Sequence, residues 1–250
     1  MYNIKLTLAY DGTEFLGWQK TSTGPSIENE LQKVLQLILQ EEITLQAASR
    51  TDAGVHAAGQ IVNFFTHKAI TDLQKLCLSL NKLLPKAIVV LEASAMHPTF
   101  HPTLNNKGKE YHYHLCLGKV QLPQHRFFSW HCPYYLNVDE MRASATQFLG
   151  KQDFASLCNT KKNECYSDTI RELTRVDIIA LPENRLRIEI EGNHFLYKMA
   201  RNIVGTLVYI GNGKIPASDL SSILKGNDRT QAGVTAPAHG LSLHKISVSM

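Results

Sequence analysis

Tyr2-Asn3-Ile4-Lys5-Leu6-Thr7-Leu8-Ala9-Tyr10, followed by Asp11-Gly12, is the stretch from which the fold can be read. Tyr2, Ile4, Leu6, Leu8 and Tyr10 share one side of a period-two pattern, with Asn3, Lys5 and Thr7 on the other. That alternation predicts a half-buried strand ending in a turn. After the Gly24-Pro25 break, Ser26 stands in capping position before Ile27, Leu31, Val34, Leu35 and Ile38, which recur at helical spacing. Ile43–Ala48 and Gln60–Thr66 read as two further strands. Thr71 with Gln74 forms a capping box for a second helix carrying Leu73, Leu76, Cys77, Leu80, Leu83 and Leu84, closed by Pro85, and Ile88–Ala95 returns as a strand. The order β-α-β-β-α-β is a split βαβ arrangement, an antiparallel-rich sheet covered on one face by two helices.

Further along, His97–Lys109, with His-Pro twice, Asn-Asn and Gly108, reads as a linker. Two domains are therefore expected, residues 1–104 and residues 105–250. The second repeats the theme: a strand over Tyr111–Leu117, a helix over Asn137–Phe148, a hairpin of Leu173–Ala180 and Leu186–Glu191, and a helix over Phe195–Tyr209. A last strand spans Leu241–Val248, where Leu241 and Leu243 fall out of phase with Ile246 and Val248, which suggests a bulge near His244. A cleft between two such halves is a favoured place for a site.

With 250 residues, 44% apolar and 19% charged, the composition is that of a soluble globular chain and excludes a disordered or fibrous one. No window reaches the roughly 18 unbroken apolar residues of a membrane span, and the amino terminus alternates where a signal peptide would be continuously apolar. A cytoplasmic location is expected. Cys77, Cys116, Cys132, Cys158 and Cys165 are an odd number without a Cys-x-x-Cys pair, so neither a disulfide framework nor a zinc site is indicated. Residues 1–104 carry 8 basic and 9 acidic groups and residues 105–250 carry 18 and 13, so the halves stand at −1 and +5. An anionic partner would feel mainly the second half.

Ser49-Arg50-Thr51-Asp52-Ala53-Gly54-Val55-His56 places Arg, Asp, Gly and His in one short loop between strands. It reads as a polar hairpin loop in which Asp52 accepts backbone N–H bonds, or as a reactive carboxylate kept ionised by a cation. Spacing alone leaves both open. His56, four residues from Asp52, invites a dyad, although most such loop histidines are structural.

The run Ala48-Ser49-Arg50-Thr51-Asp52-Ala53-Gly54-Val55-His56-Ala57, followed by Gly59-Gln60, resembles the signature loop of the TruA family of tRNA pseudouridine synthases. Three more segments agree in order: Tyr10-Asp11-Gly12 with Gly17-Trp18-Gln19, the run from Gly192 to Leu207, and Thr235-Ala236-Pro237-Ala238-His239-Gly240-Leu241. Together they span nearly the whole chain. The resemblance implies an α/β (α+β) pseudouridine synthase fold: two ferredoxin-like or RRM-like halves whose antiparallel-rich sheets join across a basic cleft. It also implies an isomerase converting uridine to pseudouridine at positions 38, 39 and 40 of the tRNA anticodon stem-loop, acting as a homodimer without metal or cofactor.

By that resemblance Asp52 is the nucleophile, attacking a flipped-out uridine at C6 or C1′, because a carboxylate can form a covalent adduct and leave again. Arg50 matches the arginine implied in base flipping and tRNA contact. Tyr111 matches the tyrosine lying against the target base, against a plain reading in which Tyr111 and Tyr113 both pack in a strand. Arg201 matches the arginine that pairs with the nucleophile, against a solvated helix arginine. His56 has no proton-transfer role in that scheme. Lys161, Lys162, Arg171, Arg175, Arg185 and Arg187 are candidate phosphate contacts or ordinary surface charges.

Some positions depart from the pattern. Thr103 stands where arginine is common, Asn105-Asn106 where Ser-Ala is common, Thr21 where a second glutamine is common, and Ala200 where valine is usual. These touch RNA docking and packing and leave Asp52, Tyr111, Arg50 and Arg201 in place. Two other readings remain: an RNA-binding protein without turnover, which has no need of Asp52, and a carboxylate hydrolase, which wants a second acid that the loop lacks.

Overall fold

The alternation at the start of the chain becomes β1 (Tyr2–Tyr10), with Ile4, Leu6, Leu8 and Tyr10 buried. In a computed structural model, which describes residues 1–160 and 166–249, it is followed by α1 (Ile27–Leu39), β2 (Leu45–Ala47), β3 (His56–Thr66), α2 (Leu73–Leu83) and β4 (Ile88–Met96). Lys161, Lys162 and Cys165 lie outside the described residues. The chain divides into two units, Met1–Lys107 with Ser242–Met250, and Gly108–Leu241.

In the first unit the strand order is β4-β1-β3, all antiparallel. α1 starts where expected, Ser26 Oγ accepting the Asn29 N–H at 3.4 Å with Glu28 and Glu30 in the first turn, which suits the positive end of the helix dipole. The second helix corrects the expected capping box. Asp72, one residue later than Thr71, is the cap, its carboxylate accepting the Lys75 N–H at 2.8 Å, a stronger charge-assisted bond than a hydroxyl offers. Leu76 and Leu80 are buried, Leu83 faces solvent, and Leu84, held extended before Pro85, is buried in its stead. Asn81 docks α2 on β4, its amide donating to Val90 O at 2.9 Å and accepting from Val90 N at 2.8 Å.

The second unit opens with β5 (Asn106–Cys116), which begins inside the expected linker, and continues with β6 (Trp130–His131), α3 (Val138–Ala145), β7 (Gly150–Asp153), β8 (Ile170–Leu181), β9 (Arg185–Gly192), α4 (Met199–Gly211) and α5 (Leu220–Gly226). Its strand order is β5-β9-β8-β7, antiparallel, with β6 parallel to β5. Tyr111, Ile190 and Val176 stand opposite one another, as do Tyr113, Ile188 and Ile178, so one face is apolar and buried. The other face carries charge. Arg175 reaches Glu110 and Glu189, each at 2.7 Å, Arg187 reaches Glu189 at 2.6 Å, and Arg185 lies 3.6 Å from Glu183. These three candidate phosphate contacts are thus ion-paired within their own sheet, while Arg171 lies 3.8 Å from Asp168.

Two expectations shift here. The helix expected from Phe195 begins at Met199: Asn193 Oδ1 accepts the Glu172 N–H at 3.1 Å and the His194 N–H at 2.6 Å, which ties the chain to β8, and Lys198 takes a left-handed φ of 61° before the helix starts. The last strand, β10 (Leu241–Val248), belongs with the first unit from Ser242 onward, not with residues 105–241. The reason is its hydrogen-bonding partner: Ser242 and Leu243 pair parallel with His56 and Ala57 of β3. Gly59 lies where the β1–β3 register shifts, and a Cβ there would stand 2.5 Å from His244 O, so glycine permits the approach. The phase slip read from the sequence is real in burial: Leu243 and Ile246 are buried while His244 and Lys245 are exposed. Among the described residues no helix is long and apolar enough to cross a membrane.

His114 sits on the charged face of the second unit, where burial, helped by His112, Arg187, Arg185 and His125, pushes its pKa from 6.5 down to about 4. The folded state holds this proton less tightly than the unfolded chain. The stability it contributes is therefore complete above pH 6.5 and is lost as the pH falls towards 4. In urea titrations at about pH 7.5 and about pH 5, the wild type is expected to lose about 1–2 kcal/mol more stability than His114→Gln. Equal losses would show that His114 does not titrate differently on folding.

Candidate active site

The Asp52 loop leaves β2 and re-enters the sheet as β3, and several backbone groups around Asp52 are tied down. Thr51 O accepts the Trp18 N–H at 3.0 Å, Gly54 N–H donates to Phe15 O at 3.3 Å, and Val55 N–H closes a turn on Asp52 O at 3.1 Å. Side chains add to this. Thr51 Oγ1 meets Tyr10 Oη at 2.8 Å in a buried contact, and Gln60 Nε2 donates to Ser49 O at 2.6 Å. Ser49, Thr51 and Val55 are buried, Arg50 is exposed and Asp52 is partly exposed. A buried threonine between them thus leaves arginine and aspartate as the outward groups of one rigid turn.

The first of the segments that resemble the family, Tyr10-Asp11-Gly12 with Gly17-Trp18-Gln19, packs against this loop. Gly17 has φ +91°, and a Cβ there would stand 2.6 Å from Thr51 O and 3.0 Å from both Ala53 N and Asp52 C. Gly12 lies equally close to Val55, where a Cβ would meet its carbonyl oxygen at 2.1 Å. His56 is part of the same frame. Its Nδ1 accepts the Gly12 N–H at 3.0 Å, while Asp11 Oδ1 lies 3.2 Å from the same nitrogen. One nitrogen cannot accept from the first and donate to the second; the N–H is fixed by the backbone, so Nδ1 is the acceptor and carries no proton. Through Nδ1 the imidazole holds the start of β3 against Gly12.

The second unit holds Tyr111 and Arg201. Tyr111, 7% exposed, meets Phe195 edge-on, with ring centres 4.9 Å apart and planes at 74°. Tyr113 is core: it is fully buried, its hydroxyl donates to Pro237 O at 2.8 Å, and a Cβ on Gly240 would lie 2.4 Å from its ring. Burial raises its phenol well above the usual value, with the Arg201 charge pulling the other way. Arg201 stands in the first turn of α4 and is neither buried nor fully exposed. Its Nε donates to Ala236 O at 2.7 Å, and Ala236 N–H donates back to Arg201 O at 3.2 Å. That exchange fixes the plane of the guanidinium. Lys109, two residues before Tyr111, is lowered by burial from 10.5 to about 8.

The structure therefore brings Arg50 and Asp52 together on one loop, and sets Arg201 beside the Ala236 segment and Tyr111 beside Phe195. Sequence patterns gave no role to Tyr10, Gln60, Asn202 or Arg229. Tyr10 and Gln60 read as ordinary strand residues, and Arg229 lies in a polar stretch, Asn227-Asp228-Arg229-Thr230, without periodicity.

A family model described as tRNA pseudouridine synthase matches residues 7–103 and 144–247. The chain is 56% identical over 246 residues to tRNA pseudouridine synthase A 2 of Protochlamydia amoebophila (strain UWE25), covering 98% of this chain and 94% of that protein. It is 41% identical over 246 residues to tRNA pseudouridine synthase A of Thermoanaerobacter sp. (strain X514), covering 98% and 99%. With Chlamydia muridarum (strain MoPn / Nigg) tRNA pseudouridine synthase A it shares 40% over 245 residues, covering 97% and 91%. The α+β architecture with its braced aspartate loop is that of an RNA-modifying isomerase. The chain belongs to the tRNA pseudouridine synthase family. Arg50, Asp52 and Arg201 fall within the residues matched by the family model, and Tyr111 falls between its two segments.

Gly17→Ala tests the brace directly, since the substitution is strained in φ and overpacked against Thr51. It is expected to cost about 1–3 kcal/mol in urea unfolding, and to speed amide exchange at Gly54 and Val55 more than in β8 and β9. Uniform exchange throughout the molecule would show that the loop is not held by this contact.

Proposed function

We propose that this enzyme isomerises uridine to pseudouridine at positions 38, 39 and 40 of the tRNA anticodon stem-loop, with Asp52 as the nucleophile. The observation that carries this reading is the loop itself. Its backbone is bonded to Phe15 and Trp18 and its buried threonine to Tyr10, while Asp52 is left partly exposed, the condition a nucleophile needs if it is to meet a substrate in one geometry. The reaction conserves every atom. The N1–C1′ bond breaks, a C5–C1′ bond forms, C5 loses its proton and N1 gains one. A carboxylate that bonds to C1′, or to C6, holds one fragment while the uracil turns, and is released intact when C5 takes the sugar.

The other roles follow the resemblance. Arg50, exposed two residues before Asp52, suits an arginine that takes the place of a flipped base and contacts tRNA. Tyr111 supplies a ring to stack on the base and a hydroxyl to take the C5 proton. Arg201 is the cation assigned to Asp52, and it would keep the carboxylate charged and oriented. A homodimer docking one tRNA, and a cytoplasmic location, belong to the same proposal. Asp52 is the residue that separates turnover from mere RNA binding.

The direct test is to incubate the purified protein with unmodified tRNA transcripts and to map pseudouridine by carbodiimide-dependent primer-extension stops. Stops at positions 38 to 40 are expected; none in the anticodon arm would refute the proposal. Asp52→Asn should fold and bind tRNA near wild-type strength yet form no detectable pseudouridine, and activity within about tenfold of wild type would remove Asp52 from its role. Tyr111→Phe keeps the ring and loses only the hydroxyl. In single-turnover assays it should slow rearrangement by roughly two to four orders of magnitude. Tyr111→Ala should lose stacking as well, worth about 1–3 kcal/mol per base. Near-normal rates for both would reduce Tyr111 to a strand residue.

A further inference from the structure

We propose that Arg229 is a positioning residue that sets the orientation of Arg201 through the segment Gly233–Ala236, an inference that rests on the function proposed above. Arg229 opens a short turn, Arg229–Gln231, capped by Asp228. Its guanidinium donates to Asn159 Oδ1 at 3.3 Å, Gly233 O at 2.8 Å, Asn202 Oδ1 at 2.8 Å and Thr235 Oγ1 at 2.9 Å. All four acceptors are neutral, and among the described residues no carboxylate pairs with it. Placing a cation there has a desolvation cost, and burial lowers its pKa accordingly. A planar fork that reaches several acceptors at fixed angles is what arginine offers in return.

Two of those acceptors are chain neighbours of the Arg201–Ala236 contact: Asn202 follows Arg201, and Thr235 precedes Ala236. Asn202 is the next residue of α4, and its amide also donates to Leu157 O at 2.7 Å and Asn159 Oδ1 at 2.8 Å. Thr235 Oγ1 donates to Asn202 Oδ1 at 2.7 Å, and Gly233 N–H donates to Thr206 Oγ1 at 3.0 Å. The segment is pressed directly on the helix: a Cβ on Gly205 would lie 1.6 Å from Val234 O, and one on Gly233 would lie 2.5 Å from Gly205 O. The next residue after Thr235 is Ala236, whose carbonyl takes the Arg201 Nε–H. Arg229 clamps Gly233 and Thr235, these place Ala236, and Ala236 places the guanidinium of Arg201. Charge at position 229 is not the point; the directions of its bonds are.

The test is a double-mutant cycle read in single-turnover rate and tRNA affinity. Arg229→Gln should lower the rate about tenfold to a hundredfold with the Kd for tRNA within about twofold of wild type. Arg229→Lys, which keeps the charge without the fork, should behave as Gln does. In an Arg201→Met background, Arg229→Gln should cost less than about twofold more, because the group it orients is gone. A merely structural role would instead give multiplying losses in the two backgrounds. Should Arg229→Gln fail to fold, Thr235→Val removes one link and runs the same cycle, with a loss of about threefold to tenfold expected. Multiplying losses, a wild-type rate in Arg229→Gln, or full rescue by Lys would overturn the inference while wild-type turnover upheld the function. A wild type that forms no pseudouridine would refute the function and this inference with it.

Discussion

Thr51 is the residue on which the candidate site turns. Its carbonyl is bonded to the Trp18 N–H and its hydroxyl to Tyr10, so both ends of a single buried residue are fixed by the first sixth of the chain. A reactive carboxylate has to meet its substrate in one geometry. Part of that precision comes from the backbone that carries it. The loop meets that demand by anchoring the neighbour of Asp52, and the close approach of Gly17 and Gly12 supplies the wall against which the turn rests.

The second unit uses a related solution for a cation. A backbone carbonyl accepts the Arg201 Nε–H, and that bond gives the guanidinium a direction. The sheet behind it treats charge differently: Glu189, 5% exposed, is met by two arginines, so that face is internally compensated. These pairs cancel charge of both signs, so the net basic charge of residues 105–250 is carried by groups other than Arg175, Arg185 and Arg187.

Much of this was legible in the sequence because local patterns set it. The Tyr2–Tyr10 alternation, the Ser26 cap and the period of Ile27 to Leu35 are short-range signals that needed no tertiary knowledge, and the structure keeps them. The errors lie where two local signals competed or a distant partner decided. Thr71 and Asp72 both suit a cap, and the carboxylate won. The apolar run from Phe195 fits a helix, but Asn193 and Lys198 delay it, and Phe195 is used against Tyr111 instead. Resemblance pointed to Arg201 and Asp52, yet gave no hint of Arg229, because a residue that acts through four bonds to neutral acceptors leaves no trace in spacing or composition. His56 shows the opposite case, a residue conspicuous in sequence whose ring nitrogen is occupied by the backbone of Gly12.

The pairing of β10 with His56 and Ala57 makes the first unit discontinuous, with the whole of the second inserted between β4 and the strand that completes it. During synthesis the amino-terminal unit is therefore translated first and finished last. Until Ser242 and Leu243 have left the ribosome, the end of β3 that follows the aspartate loop stays an unpaired edge, a template for the wrong strand. Residues 108–241 must be made in the meantime, so the aspartate loop gains its neighbouring strand only after the whole of the second unit has been produced.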